Sequence, residues 1–454
     1  MSKKTLTTVN PYTNEEIKEY AIDSLEEINI KLKLANTTYT SWKETAIEER
    51  TELLKRLSEL LLNNKNTYAE LMTNEMGKPI NESIAEIEKC AWLIDFYIVN
   101  AAEFLSDELI ETEASESFVS YDPLGVILGI MPWNYPFWQV IRFAIPTLTA
   151  GNTVIVKHAK NVSGCAKALE QLFLDASFPV GTYQAVIAGH DDIEKMIENN
   201  IIKAVSLTGS EQAGKAIAKI AGAHLKKCVL ELGGNNACIV WEDANLDEYI
   251  PTMVKARMQN TGQSCIAAKR FIVVEEVYDA FIKKFELEVG KLQPGKPTDK
   301  NTTIGVLATE SFAEDIQNQI ELSVKKGAKI HLGNFRKGAY LSPTILTHVT
   351  PGMPAFEEEI FGPVAAIIKA KDRQQAIDLA NNSKYGLGTM LFTESIVEAR
   401  DMISSIEDGA FFINEMVKSD PRLPFGGTKA SGYGRELSIE GIHEFVNKKT
   451  IFIK

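Results

Sequence analysis

"IKAVSLTGSEQAGKAIAKIAGAHLKKCVLELGG", residues 202–234, decides how the rest of this chain is read. A short β-prone run ends at Gly209, a helix-forming stretch rich in Ala follows, and a second β-prone run, "CVLELGG", closes the unit. Strand, helix, strand is the unit of a parallel sheet, because parallel neighbours need a long crossover. The first amides of such a helix and its dipole converge at Ser210, which makes a site for an anion such as a pyrophosphate. A plainly capped helix, with Ser210 as N-cap, accounts for the same residues. Residues 209–216, "GSEQAGKA", also imitate a phosphate loop, but Ala216 stands where a hydroxyl would ligate magnesium, so a nucleotide triphosphatase is the weaker alternative.

The same rhythm extends in both directions. "LGVILGIMPW" (124–133), "NTVIVKHAK" (152–160) and "YQAVIAG" (183–189) precede the opening unit, with helical stretches between them. "RFIVVEE" (270–276), "AKIHLG" (328–333), "VAAIIKA" (364–370), "GTMLFTE" (388–394) and "GAFFIN" (409–414) form a second α/β series. Residues 25–110 carry the 3.6-residue periodicity of two or three amphipathic helices. The terminal "KKTIFIK" alternates like an edge strand, and such a strand needs a partner, here expected in another subunit.

Composition narrows the function. The 454 residues are 45% hydrophobic and 24% charged, enough for two or three domains with sizeable cores. A net charge of -13 argues against nucleic acid or an anionic membrane surface as the main partner. No apolar run is long enough for a spanning helix and the N-terminus lacks a secretory core, so a cytoplasmic location is expected. The five cysteines are odd in number and widely spaced, which disfavours both a disulfide framework and a metal site.

Seven stretches in order, "MPWNYP" (131–136), the lysine of "VKHAK" (157), "LTGS" (207–210), "LELGG" (230–234), "GQSC" (262–265), "EEIFGPV" (358–364) and "PFGGTKASGYGRE" (424–436), resemble the NAD(P)-dependent aldehyde dehydrogenase superfamily along nearly the whole chain. The resemblance implies a Rossmann-type nucleotide-binding domain (1–102 and 124–233), an α/β catalytic domain (234–435) and a small β oligomerisation arm (103–123 and 436–454). The arm would pair with the terminal strand across a subunit interface, in a homodimer or homotetramer. It implies Cys265 as the nucleophile, Glu231 as general base, and the Asn134 amide with the Cys265 N–H as oxyanion donors. That chemistry makes sense: a thiolate turns a flat carbonyl into a tetrahedral hydride donor and leaves a hydrolysable thioester. Trp133, Lys157, Lys160, Gly209, Ser210, Leu232, Glu359 and Phe361 fall at cofactor positions, and Glu436 at a proton-relay position. Taken singly, Cys265 could be an inert buried thiol, Glu231 a paired carboxylate and Asn134 part of an Asx-turn.

Two departures matter. Lys160 replaces the carboxylate that in many relatives favours an unphosphorylated ribose, so NADP is expected ahead of NAD, unless Lys160 is simply an exposed residue at a helix start. Phe143 replaces a lysine found in many relatives, which puts a relay through that position in doubt. The resemblance is closest to the succinate-semialdehyde dehydrogenase branch, where Arg142 and Ser419 match carboxylate-binding positions and Trp138 would line the tunnel. Arg142 in a structural ion pair is the competing reading. Gln259 stands where a further arginine is usual, so its charge would come from elsewhere, Arg422 being the nearest alternative. A broad-specificity aliphatic aldehyde dehydrogenase is the alternative function; an acylating, coenzyme-A-linked relative is a closer rival chemically, but such relatives tend to lack the water-activating carboxylate that Glu231 matches.

Overall fold

The unit read at 202–234 is strand Ile202–Thr208, helix Glu211–Ala223 and strand Lys227–Glu231, the two strands parallel. This computed structural model describes residues 4–454. Five parallel strands lie in the order Tyr183–Val186, Thr153–His158, Val126–Met131, Ile202–Thr208, Lys227–Glu231. In chain order that is 3-2-1-4-5, so the direction of winding reverses between Val126–Met131 and Ile202–Thr208 and opens a crevice at their carboxyl ends. A two-residue antiparallel strand, Gly432–Tyr433, joins the edge beside Lys227–Glu231 and brings the C-terminal "PFGG" loop against Glu231.

Two glycines let helices lie close on this sheet. A Cβ at Gly214 would stand 2.5 Å from Leu232 Cδ1, so the helix Glu211–Ala223 approaches its strand only without one. A Cβ at Gly129 would meet the Phe143 ring at 2.6 Å, which fixes helix Trp138–Thr149 on strand Val126–Met131. Phe143 is therefore core, 1% exposed, and relays nothing.

The second sheet runs Lys329–Leu332, Thr344–Thr347, Val364–Ala370, Arg270–Val274, Ala237–Val240, Thr389–Phe392, Phe411–Ile413, parallel except for its first pair. Every strand expected in this region forms. Two more, Ala237–Val240 and Thr344–Thr347, were not expected: each is four residues long and buried throughout, so neither shows alternation. Both faces of each sheet carry their own apolar core.

The N-terminal layer corrects the expected helix number. A hairpin, Thr5–Val9 with Glu16–Ala21, leads into four helices, Leu25–Trp42, Ile47–Asn63, Lys65–Met76 and Ile80–Phe104. The break between the second and third is Asn64 alone, with φ -106 and ψ 13, and no Gly or Pro announces it.

A second correction concerns the arm. Strand Val446–Ile453 pairs antiparallel with Glu116–Pro123 of the same chain, from Val446 opposite Pro123 to Ile453 opposite Glu116. The cause lies at the strand's start: the Phe445 carbonyl accepts from Leu124 N–H at 3.3 Å and from Asn152 Nδ2 at 3.0 Å, which seats it beside Pro123. Among the described residues the other edge of Val446–Ile453 has no strand partner, and Phe452 and Ile453 are about half exposed, at 53% and 47%. Among the described residues no helix is long and apolar enough to cross a membrane.

Candidate active site

The Cys265 loop is unusual backbone held from many sides. Asn260, Thr261 and Gly262 have φ of 55, 53 and 75°, left-handed conformations that cost roughly 1–3 kcal/mol for each non-glycine residue. The Asn260 N–H donates to Glu82 Oε2 at 2.6 Å and its Nδ2 to the Asn134 carbonyl at 2.8 Å. Gly305 N–H donates to Thr261 Oγ1 at 3.1 Å, and Arg257 to the Gly262 carbonyl at 2.7 Å. Beyond the turn, Lys269 Nζ donates to the carbonyls of Ser264 at 2.8 Å and Cys265 at 2.7 Å, and pairs with Glu359 at 2.9 Å. Neither Lys269 nor Glu82 was given a role from sequence: Glu82 meets Asn260, and Lys269 meets Glu359, only through the fold.

Cys265 is half-buried, whereas Cys90, Cys165, Cys228 and Cys238 are buried, and all five thiols are free. Burial pushes the Cys265 thiol up to about 11; Lys269 and Arg142 oppose that, and Glu359 and Glu231 add to it. Glu231, at the end of strand Lys227–Glu231, is 2% exposed. Burial and the neighbouring Glu436 hold its carboxyl well above the usual range, against Arg142 and Arg435. Asn134 Nδ2 donates to the Gln263 carbonyl at 3.2 Å, which leaves its second amide hydrogen for another acceptor.

Cys265 lines a pocket of about 240 Å3 together with Trp138, Arg142, Gln259 and Ser419, so the structure brings all four candidate substrate residues to the thiol. Arg142 is 1% exposed, ion-paired with Glu436, and 4.6 Å from the centre of the Phe425 ring. Arg422 is not among the lining residues: its guanidinium is held by Asp420 at 2.9 and 2.7 Å on a mostly solvent-facing side chain, so it is no substitute for the charge absent at Gln259. Lys89, which sequence reading missed, does line the pocket; its Nζ donates to Ser419 Oγ at 2.7 Å and lies 4.2 Å from the Trp138 ring centre. A larger and more open groove, of about 880 Å3 beside Tyr278 and His331, contains none of the candidate residues.

The crevice at the switch point gathers the other set. Ser210 caps helix Glu211–Ala223, its Oγ accepting from Ala213 N–H at 3.2 Å, and a Cβ on Gly209 would meet nothing nearer than 3.9 Å. Lys157 is the penultimate residue of strand Thr153–His158, and burial, then Lys160, lowers its ammonium pKa. Lys160 is exposed and has no carboxylate in ion-pair reach among the described residues. Trp133 stacks on Phe312 at 5.0 Å and meets Phe361 edge-on at 5.7 Å. Leu232 is buried under Gly214, and Glu359 accepts from Gly234 N–H at 3.1 Å. Thr208 Oγ1, at the lip, is a buried hydroxyl with no protein partner. A helix N-terminus, an open glycine, two cations and a spare hydroxyl fit an anionic dinucleotide. Lys215 pairs instead with Glu211 at 2.6 Å along its own helix, unlike a phosphate-loop lysine.

Residues 1–451 match the family described as the aldehyde dehydrogenase family. The chain belongs to the aldehyde dehydrogenase family. It is 45% identical, over 99% of both chains, to a probable NADP(+) succinate-semialdehyde dehydrogenase of Synechocystis sp.. It is 43% identical to an NAD(P)+ succinate semialdehyde dehydrogenase of Escherichia coli, covering 98% of this chain and 97% of the other. The crystal structure of succinic semialdehyde dehydrogenase from Streptococcus pyogenes in complex with NADP+ superposes with a TM-score of 0.97 at 36% identity, covering 98% of this chain and 99% of that one. This aldehyde dehydrogenase thus has the mixed α/β fold of its family, with mainly parallel sheets.

Proposed function

We propose that this aldehyde dehydrogenase oxidises succinate semialdehyde to succinate, with NADP preferred over NAD. The observation that carries the reading is the single pocket in which the Cys265 thiol shares walls with Trp138, Arg142, Gln259 and Ser419. The relatives named for this activity match end to end, which supports the same substrate.

In this reading the Cys265 Sγ gives its proton to the ionised Glu231 carboxylate, which passes it to solvent, and adds to the aldehyde carbon, giving a thiohemiacetal. The second Asn134 amide hydrogen and the Cys265 N–H donate to the oxygen as it becomes negative. When bound in the crevice, the nicotinamide cofactor supplies the acceptor for the hydride. Lys157, Ser210 and Gly209 would hold its phosphates and ribose, Leu232 and Trp133 would border it, and Glu359 and Phe361 would position the nicotinamide end. Cys265 then carries the acyl group as a thioester. Glu231, a carboxyl whose burial makes it a strong proton acceptor once ionised, takes a proton from the water that releases the acid. Lys160, an exposed cation at the crevice, is suited to a 2'-phosphate.

A broad aliphatic specificity is the second reading, favoured by the neutral Gln259 and by the existing pairing of Arg142 with Glu436. We further propose the partition 1–102 with 124–233, 234–435, and 103–123 with 436–454, and a homodimer or homotetramer, supported by the unpaired edge of Val446–Ile453. An aldehyde panel followed at 340 nm with each cofactor tests the activity. Loss of turnover on Cys265→Ala is expected, and retained turnover would overturn it.

A further inference from the structure

We propose that Lys89, on helix Ile80–Phe104, supplies the positive charge that holds the distal carboxylate of the substrate and so sets its selectivity. This rests on the substrate reading above and adds a residue to it. A four-carbon aldehyde with a terminal carboxylate carries a full negative charge into a pocket that must replace its hydration. Of the cations lining the pocket, Arg142 is already ion-paired with Glu436, and Lys418 with Glu415 at 3.0 Å. Lys255 is exposed at the end of its helix. Lys89 is different: it is only partly exposed, and among the described residues it has no carboxylate in ion-pair reach.

Its present contacts are a hydroxyl and an aromatic face. The ammonium donates one hydrogen to Ser419 Oγ at 2.7 Å and lies 4.2 Å from the Trp138 ring centre. Two ammonium hydrogens and the Ser419 hydroxyl hydrogen are left for an acceptor inside the pocket. The ring presents an apolar wall to the substrate's methylenes. Glu86, which also lines the pocket, does not compete, because its Oε1 accepts from the N–H groups of Phe137 and Trp138, both at 2.9 Å, and its Oε2 pairs with Lys78. Burial, then Arg142, brings the Lys89 ammonium down to about 8, opposed by Cys90, Glu86 and Asp420. The charge is thus present at neutral pH.

The test compares Lys89→Met and Lys89→Arg with the native enzyme, on succinate semialdehyde and on butanal, its neutral counterpart of equal length. Lys89→Met is expected to raise KM for the semialdehyde on the order of tenfold or more beyond any change in KM for butanal, and Lys89→Arg restores most of that difference. The Tm of each variant, compared with that of the native enzyme, reports that it is folded. Equal changes for both aldehydes, or none for either, would overturn the proposal. Inhibition of butanal oxidation by succinate separates this from the substrate reading. A native enzyme that does not prefer the semialdehyde refutes the substrate, whereas a succinate inhibition constant unmoved by Lys89→Met refutes the role of Lys89.

Discussion

Burial raises the Cys265 thiol more than Lys269 and Arg142 lower it, so at neutral pH the cofactor-free enzyme holds mostly thiol. Alkylation by iodoacetamide needs the thiolate, and its rate should climb about tenfold per pH unit between about pH 7 and 9. A plateau below about pH 8 would show that a positive field outweighs burial. Lys160 gives a second test at this scale: Lys160→Glu should shift the ratio of kcat/KM from NADP toward NAD, and an unchanged ratio would remove Lys160 from cofactor choice. Residues such as Cys265, Glu231 and Asn134 were legible because each sits in a short ordered motif. Lys89 was not, because what makes it significant is Ser419, which arrives from the far end of the chain. Arg422 misled for the opposite reason: it is near Ser419 in sequence, yet Asp420 turns it toward solvent.

Among elements, helix Glu211–Ala223 is placed by the absence of a side chain. Gly214→Ala would push a methyl into Leu232 and lift the helix whose N-terminus faces the crevice. A loss of about 1–3 kcal/mol is expected, read as a lower Tm, with a raised KM for NADP. Unchanged Tm and KM would mean that the helix relaxes freely. The strand–helix–strand rhythm was readable because long crossovers separate β-prone runs. Ala237–Val240 escaped, since four buried residues show no period. The boundary at Asn64 escaped because the chain bends there without a breaker.

Over the whole molecule, the helical layer does more than cover a sheet. Helix Ile80–Phe104 supplies Glu82 to the nucleophile loop, Glu86 to the start of helix Trp138–Thr149, and Lys89 to the pocket. Sequence placed that layer in the fold but gave it no part in the site, because each of these contacts bridges residues far apart in the chain. The terminal strand was recognised as a strand, but its partner was assigned to another subunit, since alternation identifies an edge without saying what lies beside it. On the proposed function, Cys265 and the cationic pocket together select a carboxylated aldehyde. The most direct measurement is kcat/KM for succinate semialdehyde against butanal, with NADP, in the native enzyme. A semialdehyde preference on the order of tenfold or more is expected, abolished when Lys89 is changed to Met; equal efficiencies for the two aldehydes would rule out selection by the pocket.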